Sequence, residues 1–214
     1  MSQVAIKICG VRTPDAIDAA MRGGASHVGF VHFPRSPRHL APAALADLAP
    51  RVPEHVARVA VLVDPDDAII DALIAAGGLH VLQLHGKEEP ARVAAIRQRT
   101  GLETWKAIPV KSAADLAAGN AYAGAADRLL FDAKTPEGAA LPGGMGHRFD
   151  WTLLAGHRPP LPWGLSGGLD ADNVAHALRL TGAPLVDVSS GVESAPGIKD
   201  MDRIAAFCEA VSRC

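Results

Sequence analysis

Short β-branched runs and alanine-rich stretches of helical periodicity alternate eight times along this 214-residue chain, and that alternation is the tightest constraint on its fold. Strands are expected at 4–9, 27–32, 57–63, 79–84, 103–108, 128–132, 161–165 and 185–189. Helices are expected near 14–23, 42–49, 66–76, 88–100, 112–119, 149–155, 171–181 and 200–212. Most of the strand runs are apolar throughout, as parallel strands are when both faces are covered. Thr13-Pro14-Asp15 and Asp64-Pro65 each set a capping residue before a proline at the first helical position. Strand–helix pairs of about 25 residues predict an α/β chain folded over 1–214 as a single-domain (β/α)8 TIM barrel. An open doubly wound sheet is the alternative, because alternation does not by itself show closure. No GxGxxG follows the first strand, where Gly10 is succeeded by Val11.

Composition removes several classes of function. The formal net charge is -2 and no Lys/Arg run is clustered, so nucleic acid is not an expected partner. No run approaches the roughly 20 apolar residues of a membrane span, and the N-terminus lacks a signal-peptide pattern, so a cytoplasmic location is expected. Cys9, Cys208 and Cys214 have the spacing of neither a disulfide framework nor a zinc site. Cys208 sits in an apolar helical stretch and Cys214 is the last residue, which leaves Cys9 as the cysteine to explain.

In a barrel of this kind the active site gathers at the C-terminal ends of the strands. Reading each strand to its end gives Cys9, the 33–38 loop with Arg35 and Arg38, Asp64, Gln83 and His85, and Asp132. The last two strands end in Ser166-Gly167-Gly168 and Ser189-Ser190-Gly191. Glycines that admit backbone N–H groups, hydroxyl donors and a following helix start suit a phosphate. The competing reading is that the glycines are turn residues alone. Residues 133–148 form a Gly/Pro-rich connection of unusual length, expected to close over the ligand with Gly143, Gly144 and Gly146 as pivots.

The ordered motifs KICG (7–10), GFVHFPRSPR (29–38), QLHG (83–86), FDAKTP (131–136), GGMGHRFDW (143–151), LSGGL (165–169) and DVSSGVE (187–193) resemble those of phosphoribosylanthranilate isomerases. That resemblance implies a monomeric or homodimeric barrel enzyme of tryptophan biosynthesis, acting on a small phosphoribosyl substrate without cofactor or metal. It also implies an Amadori rearrangement of N-(5-phosphoribosyl)anthranilate, with Cys9 as general base and Asp132 as general acid. Arg38 would take the anthranilate carboxylate, in preference to Arg35. Gln83 and His85 would line the substrate site, and Gly167, Gly168, Ser189, Ser190 and Gly191 would hold the phosphate. His32 stands where the family more often has an aromatic or aliphatic residue.

Both reacting groups must work in their scarcer form. A free thiol is only a few per cent thiolate at neutral pH, and a free aspartic acid only about 0.1% protonated. Lys7, two residues before Cys9 on the same strand, shares its inward face and is expected to pair with Asp187. Lys7 satisfying other polar groups of the barrel core is the competing reading. Among rival functions, the related isomerase of histidine biosynthesis resembles a doubled half-barrel with aspartate in place of Cys9, and no internal repeat is evident here. A metal-dependent sugar-phosphate epimerase would need an inward His/Asp/Glu set. A silent phosphate-binding protein would have no reason to keep both Cys9 and Asp132.

Overall fold

The computed structural model describes residues 4–135 and 146–214. Eight parallel strands close into a barrel in sequence order: β1 (Ala5–Cys9), β2 (His27–His32), β3 (Ala57–Leu62), β4 (Val81–Leu84), β5 (Glu103–Val110), β6 (Arg128–Ala133), β7 (Trp163–Leu165) and β8 (Leu185–Val188). Pairing of β1 with β8 closes the ring and excludes the open sheet. Around it lie α1 (Pro14–Arg22), α2 (Pro42–Leu48), α3 (Asp67–Gly77), α4 (Pro90–Thr100), α5 (Ala113–Ala117), α6 (Val174–Thr181) and α7 (Met201–Ser212). No helix among the described residues is long and apolar enough to cross a membrane.

The helix starts show how local chemistry sets these bounds. Thr13 caps α1 by accepting from the Ala16 N–H at 3.3 Å, with Pro14 in the first turn, as expected. The Asp64-Pro65 expectation is corrected: Asp66 caps α3, its carboxylate accepting from the Ile69 N–H at 2.9 Å. Asp64 instead adopts a left-handed backbone (φ 45°) and ties two loops together, its N–H donating to Glu88 and its carboxylate accepting from the Lys87 N–H.

One expected helix and one expected helix start are also corrected. The stretch 149–155 forms only a 3-10 turn over Trp151–Leu154, capped by Asp150. Gly156 (φ 74°) and the prolines beyond it leave too few residues to offset helix nucleation. After β8 the chain makes a three-residue 3-10 turn (Ser190–Val192) and a hairpin of β9 (Glu193–Ala195) and β10 (Ile198–Lys199) before α7 begins. No α-helix starts directly behind the Ser189-Ser190-Gly191 loop.

Alternate side chains from the strands fill the barrel interior: Cys9, Val59, Val61, Val81, Trp105, Leu130 and Leu185 are buried there. A separate apolar layer lies between the strands and the helices. Trp105, fully buried, is flanked by His27 at 5.2 Å and the Arg128 guanidinium at 5.1 Å. Burial, then the charges of Lys7 and Arg128, lower the His27 pKa to about 4. Its imidazole therefore stays neutral in the fold while the unfolded chain takes up a proton near pH 6.5, so stability falls as pH drops from about 6.5 to 4. The loss is about 2 kcal/mol after allowance for solvent at the ring's open edge. In His27→Asn, thermal melts between pH 7 and 4 are expected to show a shallower fall in Tm than in the unsubstituted chain.

Candidate active site

The strand register decides what surrounds Cys9. Lys7 lies opposite Asp187 in the β1–β8 pair, and Cys9 opposite Gly29 in the β1–β2 pair. The Lys7 Nζ donates to Asp187 Oδ1 at 2.9 Å, both side chains buried, so the expected interior ion pair is present beneath the thiol. A Cβ at Gly29 would lie 3.0 Å from both Cys9 Sγ and Lys7 Nζ. Glycine at this position leaves the thiol and the ammonium room to meet, and an alanine would have to displace them.

Electrostatics at Cys9 run against ionisation. Burial lifts its pKa, Lys7 and Lys199 pull it down, Asp187 pushes it up again, and the balance is a thiol held above its ordinary value. Burial lowers the Lys7 amine, but Asp187 and then Cys9 outweigh it and keep the cation charged. Lys7 thus favours the thiolate without overcoming desolvation, the larger effect, and Asp187 opposes it.

Across the mouth, Asp132 at the end of β6 is held at both oxygens. Oδ1 accepts from the Ala133 N–H at 2.9 Å and Oδ2 lies 3.0 Å from His85 Nε2. The other nitrogen of His85 lies 3.3 Å from the Gln83 amide nitrogen, and Gln83 Oε1 is buried with no partner among the described residues. Turning that amide over would let Oε1 accept from Nδ1–H, leaving Nε2 to accept a proton from Asp132.

Cys9, Arg38, Gln83, His85, Asp132, Ser166, Asp187 and Ser189 all line one open pocket at the barrel mouth. An adjoining recess shares Asp132, Ser166, Asp187 and Ser189 and adds Gly167, Gly168, Ser190, Thr135 and His147. Gly167 has φ 91°, and a Cβ there would lie 2.6 Å from the Ala133 N and 2.9 Å from Asp132 Oδ1. Gly191 stands behind the recess, where a Cβ would collide with the Leu169 carbonyl, so its visible role is to let the two terminal loops pack. Ser189 turns its hydroxyl to the Cys9 carbonyl at 3.2 Å. Arg35 is exposed and Asp64 faces its loop contacts; neither lines the pocket. His32 bonds the Leu40 carbonyl and packs on His39, away from it. Gly143 and Gly144 lie outside the described residues, and Gly146 borders the recess.

Residues 6–210 match the family model described as N-(5'phosphoribosyl)anthranilate (PRA) isomerase. The chain belongs to that family. Its N-(5'-phosphoribosyl)anthranilate isomerase relative from Zymomonas mobilis subsp. pomaceae is 53% identical over 209 residues, covering 97% of this chain and 98% of the relative. The crystal structure of phosphoribosyl anthranilate isomerase from Thermotoga maritima superposes with a TM-score of 0.89 at 34% identity, covering 99% of this chain and 100% of that one. A structure of such an isomerase in complex with reduced 1-(o-carboxyphenylamino)-1-deoxyribulose 5-phosphate gives a TM-score of 0.86 at 31% identity, with coverage of 99% and 100%.

As a phosphoribosylanthranilate isomerase of tryptophan biosynthesis, the chain carries one cluster that motif reading passed over. Glu193, last residue of DVSSGVE, accepts from Arg38 Nε and Nη2 at 2.7 Å each and from Lys199 Nζ at 2.8 Å. All three side chains are buried. The available signal was Pro196-Gly197, a turn dipeptide that reverses the chain and returns Lys199 toward Glu193.

Proposed function

We propose that this isomerase works by general acid–base catalysis between Asp132 and Cys9, with no cofactor or metal. Asp132 protonates the furanose ring oxygen, C1–O breaks, and the nitrogen lone pair forms the C1=N iminium. Cys9, as thiolate, then removes the C2 proton. The freed electron pair forms C1=C2 and returns the nitrogen to neutrality, and the enolamine tautomerises to the ketone. The observation that carries this reading is the convergence of Cys9 and Asp132, from β1 and β6, on one pocket.

His85 supports Asp132 as a positioning residue, oriented in turn by Gln83. Gly167, Gly168 and Ser190, with Ser189 at the border, suit the 5'-phosphate by backbone N–H groups and hydroxyls. Arg38 faces the anthranilate carboxylate, for which a guanidinium has matching geometry. The enzyme acts as a cytoplasmic monomer or homodimer. The test follows loss of the fluorescence of phosphoribosylanthranilate on addition of the purified chain. Turnover without added metal supports the reading; a rate that vanishes with chelator and returns with a divalent cation overturns it.

A further inference from the structure

The Arg38 side chain is fixed at both ends. Its stem crosses Gly10 (φ 77°), where a Cβ would lie 2.6 Å from Arg38 Cδ and 3.2 Å from Cγ. Its head is gripped by Glu193 along the Nε–Nη2 edge, through two hydrogen bonds of 2.7 Å. A planar guanidinium held by two parallel bonds along one edge has its plane set, unlike a cation held by a single point of charge.

Glu193 is not engaged by Arg38 alone. Lys199 Nζ donates to the same carboxylate at 2.8 Å, and the Gly197 N–H lies at 3.3 Å. Glu193 thus faces two cations, Arg38 and Lys199, at once. Burial raises the Glu193 pKa, but Arg38 and Lys199 together bring it below the ordinary range, so the carboxylate is ionised. The cluster is also tied to the reacting end of β1. Lys199 donates to the Ser189 carbonyl at 2.9 Å and lies 3.4 Å from its hydroxyl, which in turn donates to the Cys9 carbonyl at 3.2 Å.

We propose that Glu193 is a positioning residue that sets ligand specificity: by fixing the plane of Arg38 and sharing its charge with Lys199, it makes the pocket select a carboxylate-bearing aromatic ring. This rests on the assignment of Arg38 to the substrate carboxylate. A bland role is available to the same contacts, since they also pin the β9–β10 hairpin to the loop after β2. The two roles differ in what they do to selectivity. A strut, once lost, weakens every ligand; a specificity residue, once lost, weakens only the ligand with the carboxylate.

The experiment compares two ligands by calorimetry, the reduced 2-carboxyphenylamino product analogue and its phenylamino counterpart without the carboxylate. In Glu193→Gln the preference for the carboxylated ligand is expected to fall by at least about 10-fold, while binding of the other changes little. KM should rise by more than kcat falls. Arg38→Ala should collapse the same preference, and the double variant should lose little more than either alone. If Arg38→Ala collapses the preference but Glu193→Gln weakens both ligands equally, or leaves the preference intact, Glu193 is only a strut. If Arg38→Ala itself leaves the preference intact, the Arg38 assignment is wrong and the proposal falls with it. Should Glu193→Gln not fold, Glu193→Asp, which keeps the charge but shortens the reach, is read by the same ratio.

Discussion

Cys9→Ala is expected to lower kcat by about 10²–10⁴ while leaving the affinity for the product analogue close to that of the parent chain. The side chain is small and sits at the inner end of the pocket, so its removal costs the base rather than the binding surface. The pH profile is the sharper check, because the proposed reactive state needs a thiolate and a carboxylic acid together. Below the pKa of the acid the thiolate becomes scarcer as pH falls; above that of the thiol the protonated acid becomes scarcer as pH rises. Between the two, gain in one form cancels loss of the other and the rate is flat. At the values of free groups only roughly one molecule in 10⁴ to 10⁵ holds both forms at once. Burial lifts the Cys9 thiol further, so the alkaline limb of kcat/KM is expected above the ordinary thiol range. These limbs belong to the coupled pair rather than to either residue alone. An alkaline limb below neutrality, or near-normal turnover in Cys9→Ala, would remove Cys9 from the base role.

Asp132→Asn is expected to cost a similar about 10²–10⁴ in kcat, for the opposite reason. The amide keeps the shape of the carboxyl and can still accept the Ala133 N–H and face His85. It has no acidic proton to deliver to the ring oxygen. Binding of the reduced analogue should therefore survive while ring opening fails. His85→Gln is expected to give a smaller loss, appearing in kcat more than in KM, since His85 touches Asp132 and acts through it. Single-turnover measurements separate these cases: in Asp132→Asn the chemical step itself must slow. A variant that retains near-normal single-turnover rates would place the acid elsewhere.

The parts of this site that lie at strand ends could be read directly from the chain, because a barrel converts position along a strand into position around the mouth. Cys9, Gln83, His85, Asp132 and Ser189 were reachable in that way, as was the Lys7–Asp187 pair from its alternation with Cys9 and Ser189. The Glu193 cluster was not, since Lys199 returns to it through a hairpin where a helix start was expected. His85 was readable as a residue of the site but not as the partner of Asp132, which is 47 positions away. The helix expected at 149–155 failed on a local competition, a 3-10 turn against a nucleus too short to propagate.

Periodicity and turn chemistry are properties of neighbouring residues, so the sequence alone settled the order of the elements, their alternation, and which side chains would stand at the strand ends. Register, charge balance and close approach join residues far apart in the chain, and only the closed barrel decided them. It set Gly29 against Cys9, so that the thiol could meet the Lys7 ammonium, and it buried that thiol deeply enough for desolvation to outweigh the cation. It also gave Arg38 a fixed carboxylate partner. A linear motif can name a base and an acid; the energy of ionising them depends on what the fold packs around them.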